Sequence, residues 1–276
     1  MIKEYFNKTL PVIDQWISEL FLPEQTHPSV IHESMLYMMS SGGKRIRPLL
    51  AWCACEACGG TTEDIKIPAV AIETIHTYSL VHDDLPCMDN DDERRGKPTC
   101  HKKYNEFIAV LTGDALLTYA FELLSNMSSP EKAMRISKEL AKASGSVGMI
   151  GGQVVDKEYE NKEVDLAALD YINVHKTGKL ITVSCHIGAI AAGASSEHEA
   201  ALIKYGEYLG FAFQVVDDII DNDGYLRFMS KSKAFERASE LVNNAKEAIA
   251  GLGEKTVILN AIADFVLKRG MDPNAK

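Results

Sequence analysis

The stretch Leu209-Gly210-Phe211-Ala212-Phe213-Gln214-Val215-Val216-Asp217-Asp218-Ile219-Ile220-Asp221 decides the fold class. Gln214, Asp217, Asp218 and Asp221 are spaced i, i+3, i+4, i+7, which puts all four on one face of a single helix. Three carboxylates on one face repel one another unless cations sit between them. The apolar run Leu209 to Val216 ahead of them sets the acids at the rim of a core rather than on an open surface. Taken alone, such a cluster reads first as a solvated acidic face.

A second cluster shifts that balance. Asp83-Asp84-Leu85-Pro86-Cys87-Met88-Asp89 follows the apolar residues Tyr78 to Val81. Pro86 disfavours helical geometry at Leu85, so a helix running from Pro68 ends there. Asp83 and Asp84 then occupy its last turn, and Asp89 returns from the loop. Acids at a helix C-terminus oppose the helix dipole, and a bound divalent cation would compensate. Hard oxygen ligands on two facing helices suit Mg²⁺, which keeps its waters and is readily shared with substrate phosphates.

Two basic motifs supply partners for phosphate. Gly42-Gly43-Lys44-Arg45-Ile46-Arg47-Pro48 offers flexible backbone and three cations, and Asp91-Asp92-Glu93-Arg94-Arg95-Gly96-Lys97-Pro98 places paired arginines after the first acid cluster. Arginine grips phosphate oxygens in a bidentate fork, and lysine holds them as a point charge. The glycines do not have P-loop spacing. His76 lies two helical turns before Asp83 on the same face, open to a hydrogen-bonded core role or a phosphate-binding one. His175-Lys176-Thr177-Gly178-Lys179 adds a cation and a hydroxyl ahead of a very apolar segment. Both basic motifs together with two acid clusters imply more than one polyanionic substrate.

The rest of the chain is helical in pattern. Ile108 to Leu124, Ala133 to Ala143 and Ala234 to Leu252 carry apolar residues at three- and four-residue spacing, and alternating strand patterns are scarce. Breaks fall at residues 41–43, 58–61, 86–98, 128–130, 193–196 and 223–224. The expectation is an all-α bundle of about ten helices in a single domain over residues 1–276, with 270–276 a frayed tail. Ile181 to Ala192 is apolar on nearly all sides, as a central helix or an oligomer interface would be.

Hydrophobic residues make up 46% and charged residues 25% of 276, the balance of a soluble globular protein. The net charge of −10 argues against a nucleic-acid binder. No apolar run is read as long enough to span a bilayer, and Met1-Ile2-Lys3-Glu4-Tyr5-Phe6 lacks the form of a signal peptide, so the cytoplasm is expected. Cys53, Cys55 and Cys58 invite a zinc reading, but they sit in a helix of small residues and lack a second well-spaced pair. Reduced core cysteines are the reading adopted.

The run Glu73 to Asp89, continuing into Arg94-Arg95-Gly96-Lys97-Pro98-Thr99, resembles the first aspartate-rich region of trans-isoprenyl diphosphate synthases, and most of all the bacterial farnesyl diphosphate synthases. Lys44 to Pro48, Gly113-Asp114-Ala115, Gly151-Gly152-Gln153, Lys176-Thr177-Gly178 and Phe213 to Asp221 match that family in order, over nearly the whole chain. The resemblance implies an isoprenoid synthase-type helical bundle around a central cavity, a homodimer without membrane anchor, and about three Mg²⁺ ions, with Mn²⁺ as a substitute. It implies metal ligands at Asp83, Asp84, Asp89, Asp217, Asp218 and Asp221. It implies isopentenyl diphosphate binding by Gly43, Lys44, Arg47, His76 and Arg95. Arg94, Lys176, Thr177 and Gln214 would hold the allylic partner, dimethylallyl or geranyl diphosphate. Tyr78, with Ser79, would set product length at the fifteen-carbon farnesyl diphosphate. The chemistry is a head-to-tail condensation: charge neutralisation lets the allylic C–O bond ionise, a dry cavity protects the cation, and the isopentenyl double bond attacks it.

The family continues after its second aspartate motif with a lysine-bearing loop. Here Asn222-Asp223-Gly224-Tyr225-Leu226 leads at once to Arg227-Phe228-Met229-Ser230-Lys231-Ser232-Lys233, so that loop is deleted. Lys231 or Lys233 is a candidate substitute on the allylic side. The deletion keeps open a weak or non-catalytic subunit of a prenyl synthase, and a geranylgeranyl diphosphate synthase is the other alternative within the family. A terpene cyclase would bind one diphosphate and need no second basic motif. A helical scaffold would leave the ordered basic motifs unexplained.

Overall fold

The computed structural model describes residues 2–160 and 162–271, and the expected tail beyond Met271 lies outside them. Thirteen α-helices are formed among these residues. They are α1 Ile2–Leu20, α2 Ser29–Met39, α3 Ile46–Ala57, α4 Thr62–Asp83, α5 Cys100–Lys103, α6 Glu106–Ser125, α7 Pro130–Ser144, α8 Met149–Tyr159, α9 Leu166–Ile172, α10 Lys179–Ala192, α11 Ser196–Asp221, α12 Lys231–Ala248 and α13 Val257–Arg269. The all-α expectation holds, with several short helices added to the expected ten. The described strands are Glu93–Arg94 and Lys97–Pro98, an antiparallel pair here called β1 and β2.

The described residues form two compact units. One comprises Lys3–Leu49 and Lys66–Ser137, the other Leu50–Ile65 and the chain from Lys138 on, the divisions falling inside α3, α4 and α7. In the first unit α2 packs on α6, tied by a 2.6 Å hydrogen bond between the buried hydroxyls of Ser34 and Thr112. In the second, α11 packs along both α10 and α12. There α10 buries Leu180, Ile181, Val183, Cys185, Ile187 and Ile190, as its all-round apolar sequence foretold. A Cβ on Gly206 would come 2.7 Å from Thr182 Cα, and one on Gly210 3.1 Å from Gly178 Cα. The α11 backbone therefore lies directly on α10 at Thr182 and on the residue before it at Gly178, with no room for a larger residue at 206 and little at 210.

Helix α4 starts at Thr62, six residues before the expected Pro68. Thr61 caps it: its hydroxyl oxygen accepts from Asp64 N–H at 3.4 Å, and its own N–H and hydroxyl donate back to Asp64 Oδ2 at 2.9 and 2.7 Å. That reciprocal capping outweighs the one intrahelical bond Pro68 cannot donate. Helix α12 stops at Ala248, short of Leu252, where the chain tightens into 3₁₀ turns between Ala250 and Thr256, broken at Gly253 with φ +73°. The bilayer reading also needs correction. Helix α6 is long and apolar enough by length and composition to cross a membrane, though it carries Asp114 at mid-length and buries Ile108, Leu116 and Leu124 in its own unit.

Candidate functional site

The first unit carries the first acid cluster. As expected, α4 ends at Asp83, and the loop is pulled back on the helix end by Asp89 N–H donating to Asp83 O at 2.8 Å and Asn90 N–H to Leu85 O at 3.1 Å. Asp84 is fully buried and takes Arg94 Nε on Oδ1 at 2.6 Å. Its other oxygen, Oδ2, is buried and has no hydrogen-bond partner among the described residues. Burial pushes the Asp84 carboxyl above its ordinary range, against the pull of Arg94. An orphaned carboxylate oxygen is costly unless a cation joins it. Gly113 lies directly against the His82 ring, which leaves no room for a Cβ.

Cations gather around the same helix. Arg95 and Gly96, at φ +57° and +73°, form a two-residue turn of type I′ between β1 and β2, and Arg95 donates to the carbonyl of Gly42. Gly43 lies against the same guanidinium. Arg47 sits in the first turn of α3, where the helix dipole already favours an anion. Its Nε is buried and unpartnered among the described residues. Burial above all, with Arg95 adding, lowers the Arg47 guanidinium to about 10, so it stays charged at neutral pH. The half-buried His76 imidazole is held well below its usual value by burial and then by Arg47, Arg95, Arg94 and Arg45, so it is neutral. Lys44 lies on the exposed turn before Arg45.

Arg45 has a different task. At φ +47° it turns inward, donating to Glu73 Oε1 at 2.8 Å, Asp14 Oδ1 at 3.0 Å and the Met39 carbonyl at 2.5 Å. This ion pair anchors the glycine turn that precedes Arg47. Tyr78 is 4% exposed, its ring edge-on to His82 and its hydroxyl buried without a hydrogen-bond partner among the described residues. Ser79 donates to the His76 carbonyl at 2.8 Å.

The second unit carries the second cluster. Asp217, Asp218 and Asp221 fall at the C-terminal end of α11, which Asn222 closes in the left-handed conformation. Asp218 accepts Tyr225 N–H at 2.9 Å on Oδ2 and lies against Gly224, so part of its capacity goes to building the short turn. Burial pushes its carboxyl up to about 6; Tyr225 opposes the shift, and Asp217, Asp223 and Asp221 add to it. Asp156, Asn173, Asp218, Asp221, Asp223 and Arg227 line a cavity of about 280 Å³.

Residues Asn173–Gly178 form a π-helical turn between α9 and α10, a feature the sequence pattern did not signal. Such turns recur at functional sites. Lys176 donates to Asp156 Oδ2 at 2.6 Å, and Gln214 Nε2 to Asn173 Oδ1 at 3.2 Å. Gly152 presses on the Lys176 backbone too closely for any side chain. Thr177 is half-buried in the same turn. Lys231 and Lys233 open α12, both exposed, behind the Ser230 cap. The cation that lines the acid cavity is Arg227, held by Asp223 through Nη2 at 2.8 Å.

Among the described residues, no three His, Cys, Asp or Glu side chains converge into a ready-made metal cage. Mg²⁺ does not require one, since it binds through one or two carboxylates plus substrate phosphates and water. An all-oxygen donor set and the orphaned Asp84 Oδ2 fit such an ion. None of the six cysteines forms a disulfide, and Cys53, Cys55, Cys100 and Cys185 are buried, in keeping with core roles.

Each unit thus carries an acidic helix end, and the first also gathers cations around α4. The polyprenyl synthetase family pattern matches residues 28–234. The chain is 40% identical over 291 aligned positions to the chloroplastic geranylgeranyl pyrophosphate synthase of Capsicum annuum, covering 97% of this chain and 78% of that one. It is 41% identical over 275 positions to the farnesyl diphosphate synthase of Escherichia coli strain K12, covering 90% and 91%. The crystal structure of an FPP/GFPP synthase from Zymomonas mobilis superposes with a TM-score of 0.91 at 37% identity, covering 96% of this chain and 98% of that one. The chain belongs to the polyprenyl synthetase family. Its fold is the isoprenoid synthase helical fold, and its chemistry is that of the head-to-tail prenyltransferases of the farnesyl and geranylgeranyl diphosphate synthase group.

Proposed function

We propose that this protein condenses isopentenyl diphosphate with dimethylallyl and then geranyl diphosphate to make farnesyl diphosphate. The observation that carries the reading is the gathering of Arg47, Arg95 and His76 around α4, with Arg47 Nε buried and, among the described residues, without a hydrogen-bond partner. With Lys44 and the Gly43 turn, these groups hold isopentenyl diphosphate. Arg94, Lys176, Thr177 and Gln214 hold the allylic diphosphate. Asp83, Asp84 and Asp89 would hold Mg²⁺, as would Asp217, Asp218 and Asp221, about three ions in all; the metal would supply charge neutralisation of the leaving diphosphate. His76, neutral, donates a hydrogen bond without adding charge. Residues 1–276 serve as a single polyprenyl synthetase domain. Mass spectrometry of products from isopentenyl plus dimethylallyl diphosphate tests the reading: no prenyl product from the purified chain would leave the weak-subunit alternative standing. Sedimentation and cell fractionation test the accompanying expectations of a homodimer and a cytoplasmic location.

Product length turns on Tyr78. Relatives named for farnesyl and for geranylgeranyl products are both similar to this chain, so the assignment rests on the buried ring one turn before Asp83. A buried aromatic ring fixes cavity volume. Tyr78→Ala is expected to shift the main product from fifteen to twenty carbons or more. An unchanged product, or a twenty-carbon product from the native protein, defeats the farnesyl assignment and leaves the prenyltransferase reading intact.

Arg227 is a better substitute than Lys231 or Lys233 for the deleted loop: all three are exposed, but Arg227 lines the acid cavity and the two lysines at the start of α12 do not. Arg227→Ala is expected to raise the allylic KM about tenfold, the scale of a charge-assisted contact of ~1.5 kcal/mol, with isopentenyl KM unchanged. Lys231→Ala and Lys233→Ala are expected to leave both constants within twofold. The reverse pattern would return the role to α12.

A further inference from the structure

The acid cluster on α11 is met by an arginine from the far end of the chain. Arg269, in the last turn of α13, places Nη2 3.0 Å from Asp217 Oδ1. Its guanidinium lies 5.1 Å from the Phe213 ring centre, one turn earlier on α11, a cation–π distance. The Arg269 side chain is 13% exposed, against 30% for Asp217. Its Nη1 is buried and, among the described residues, has no hydrogen-bond partner. α11 and α13 pack together within one unit, and Gly270, which ends α13, rests near the Val216 methyl groups.

A buried guanidinium with one donor filled and another empty is incompletely satisfied. Asp217 without a counter-charge, beside Asp218 and Asp221, would be worse. Arg269 therefore gives Asp217 the neutralisation that a divalent ion would give. The two cations compete for the same carboxylate. A planar fork of donors, once released, matches diphosphate oxygens better than any other side chain.

We propose that Arg269 is an internal stand-in for the metal at Asp217, which holds the carboxylate in the metal-free protein and passes its donors to the diphosphate on loading. The inference rests on Asp217 being a metal ligand in the proposed function. It makes metal and diphosphate binding reciprocal. An ion alone must displace Arg269 with nothing in return, whereas an ion accompanied by diphosphate gives Arg269 a new partner.

The test is Mn²⁺ binding to the full chain, followed by electron paramagnetic resonance of the free ion, with and without inorganic diphosphate and against a protein-free control. Arg269→Gln is expected to bind Mn²⁺ alone about fivefold more tightly than the native protein, the worth of one partly exposed ion pair. It is also expected to lose most of the tightening that diphosphate confers. Arg269→Lys, which keeps the charge, should fall between the two, and it carries the test should the Gln variant not fold. Unchanged or weaker Mn²⁺ binding without diphosphate in these variants, or an intact diphosphate effect, overturns the inference. Native-like Mn²⁺ binding by Asp217→Ala would instead remove the metal assignment beneath it. Both outcomes are read without any turnover assay, so they stand apart from failure of the synthase reading.

Discussion

Asp83→Ala and Asp217→Ala are each expected to lower kcat by about a hundredfold to a thousandfold, or ~3–4 kcal/mol of transition-state stabilisation. The reason is electrostatic. Developing charge on the leaving diphosphate needs preorganised cations, and each acid cluster supplies oxygen ligands that no neighbouring group can replace. Asp217 is the sharper case. Asp218 is partly spent on the Tyr225 N–H, and Asp221 is exposed, so neither is placed to take over. Steady-state kinetics with saturating Mg²⁺, repeated in EDTA, read the outcome. Activity within tenfold of the native protein in either variant, or full turnover in EDTA, would dismiss the metal assignment.

Glu73→Ala is expected to destabilise the fold by about 3–5 kcal/mol, the usual cost of stranding a buried charge. Arg45 and Glu73 are each 2% exposed in their side chains and 2.8 Å apart. Burial alone would lower the Arg45 guanidinium, yet Glu73 and Asp14 outweigh it and hold it above its ordinary value. Removing Glu73 leaves Asp14, which is 56% exposed and well solvated, as the remaining carboxylate. Urea unfolding gives the loss directly. Glu73→Gln, which keeps a hydrogen-bond acceptor without charge, is expected to lose less. A loss below 1 kcal/mol in the Ala variant would mean that Arg45 finds water or another partner. The same change should raise the isopentenyl KM, because Arg45 anchors the turn that sets Arg47.

What could be read in advance depended on how local the cause was. The end of α4 was legible because Pro86 acts on its immediate neighbour. The shared face of Gln214, Asp217, Asp218 and Asp221 followed from helical periodicity alone. The start of α4 was missed although its signal, Thr61 with Asp64 three residues on, was present; Pro68 was given too much weight. Lys44, Arg45 and Arg47 look alike on paper. Only the left-handed backbone at Arg45 and its distant partners Asp14 and Glu73 divide one structural cation from the others. Arg227 carries no spacing signal, because its place at the acid cavity is set by the short turn that follows α11. The Arg269–Asp217 pair spans too much chain for any spacing rule to find it.

The π-helical turn at Asn173–Gly178 also sets the rotational phase of everything around it. A turn with one residue more than α geometry allows swings the side chains on its two sides by about 100° relative to an unbroken helix. The apolar face of α10 and the polar face carrying Lys176 and Thr177 could not both be correctly aimed by a regular helix running from Leu166 to Ala192. Loss of a single residue anywhere in this turn would leave the helix longer, smoother and better bonded. It would also point Lys176 away from Asp156, so the irregularity works as a gear that lets one continuous rod serve two directions.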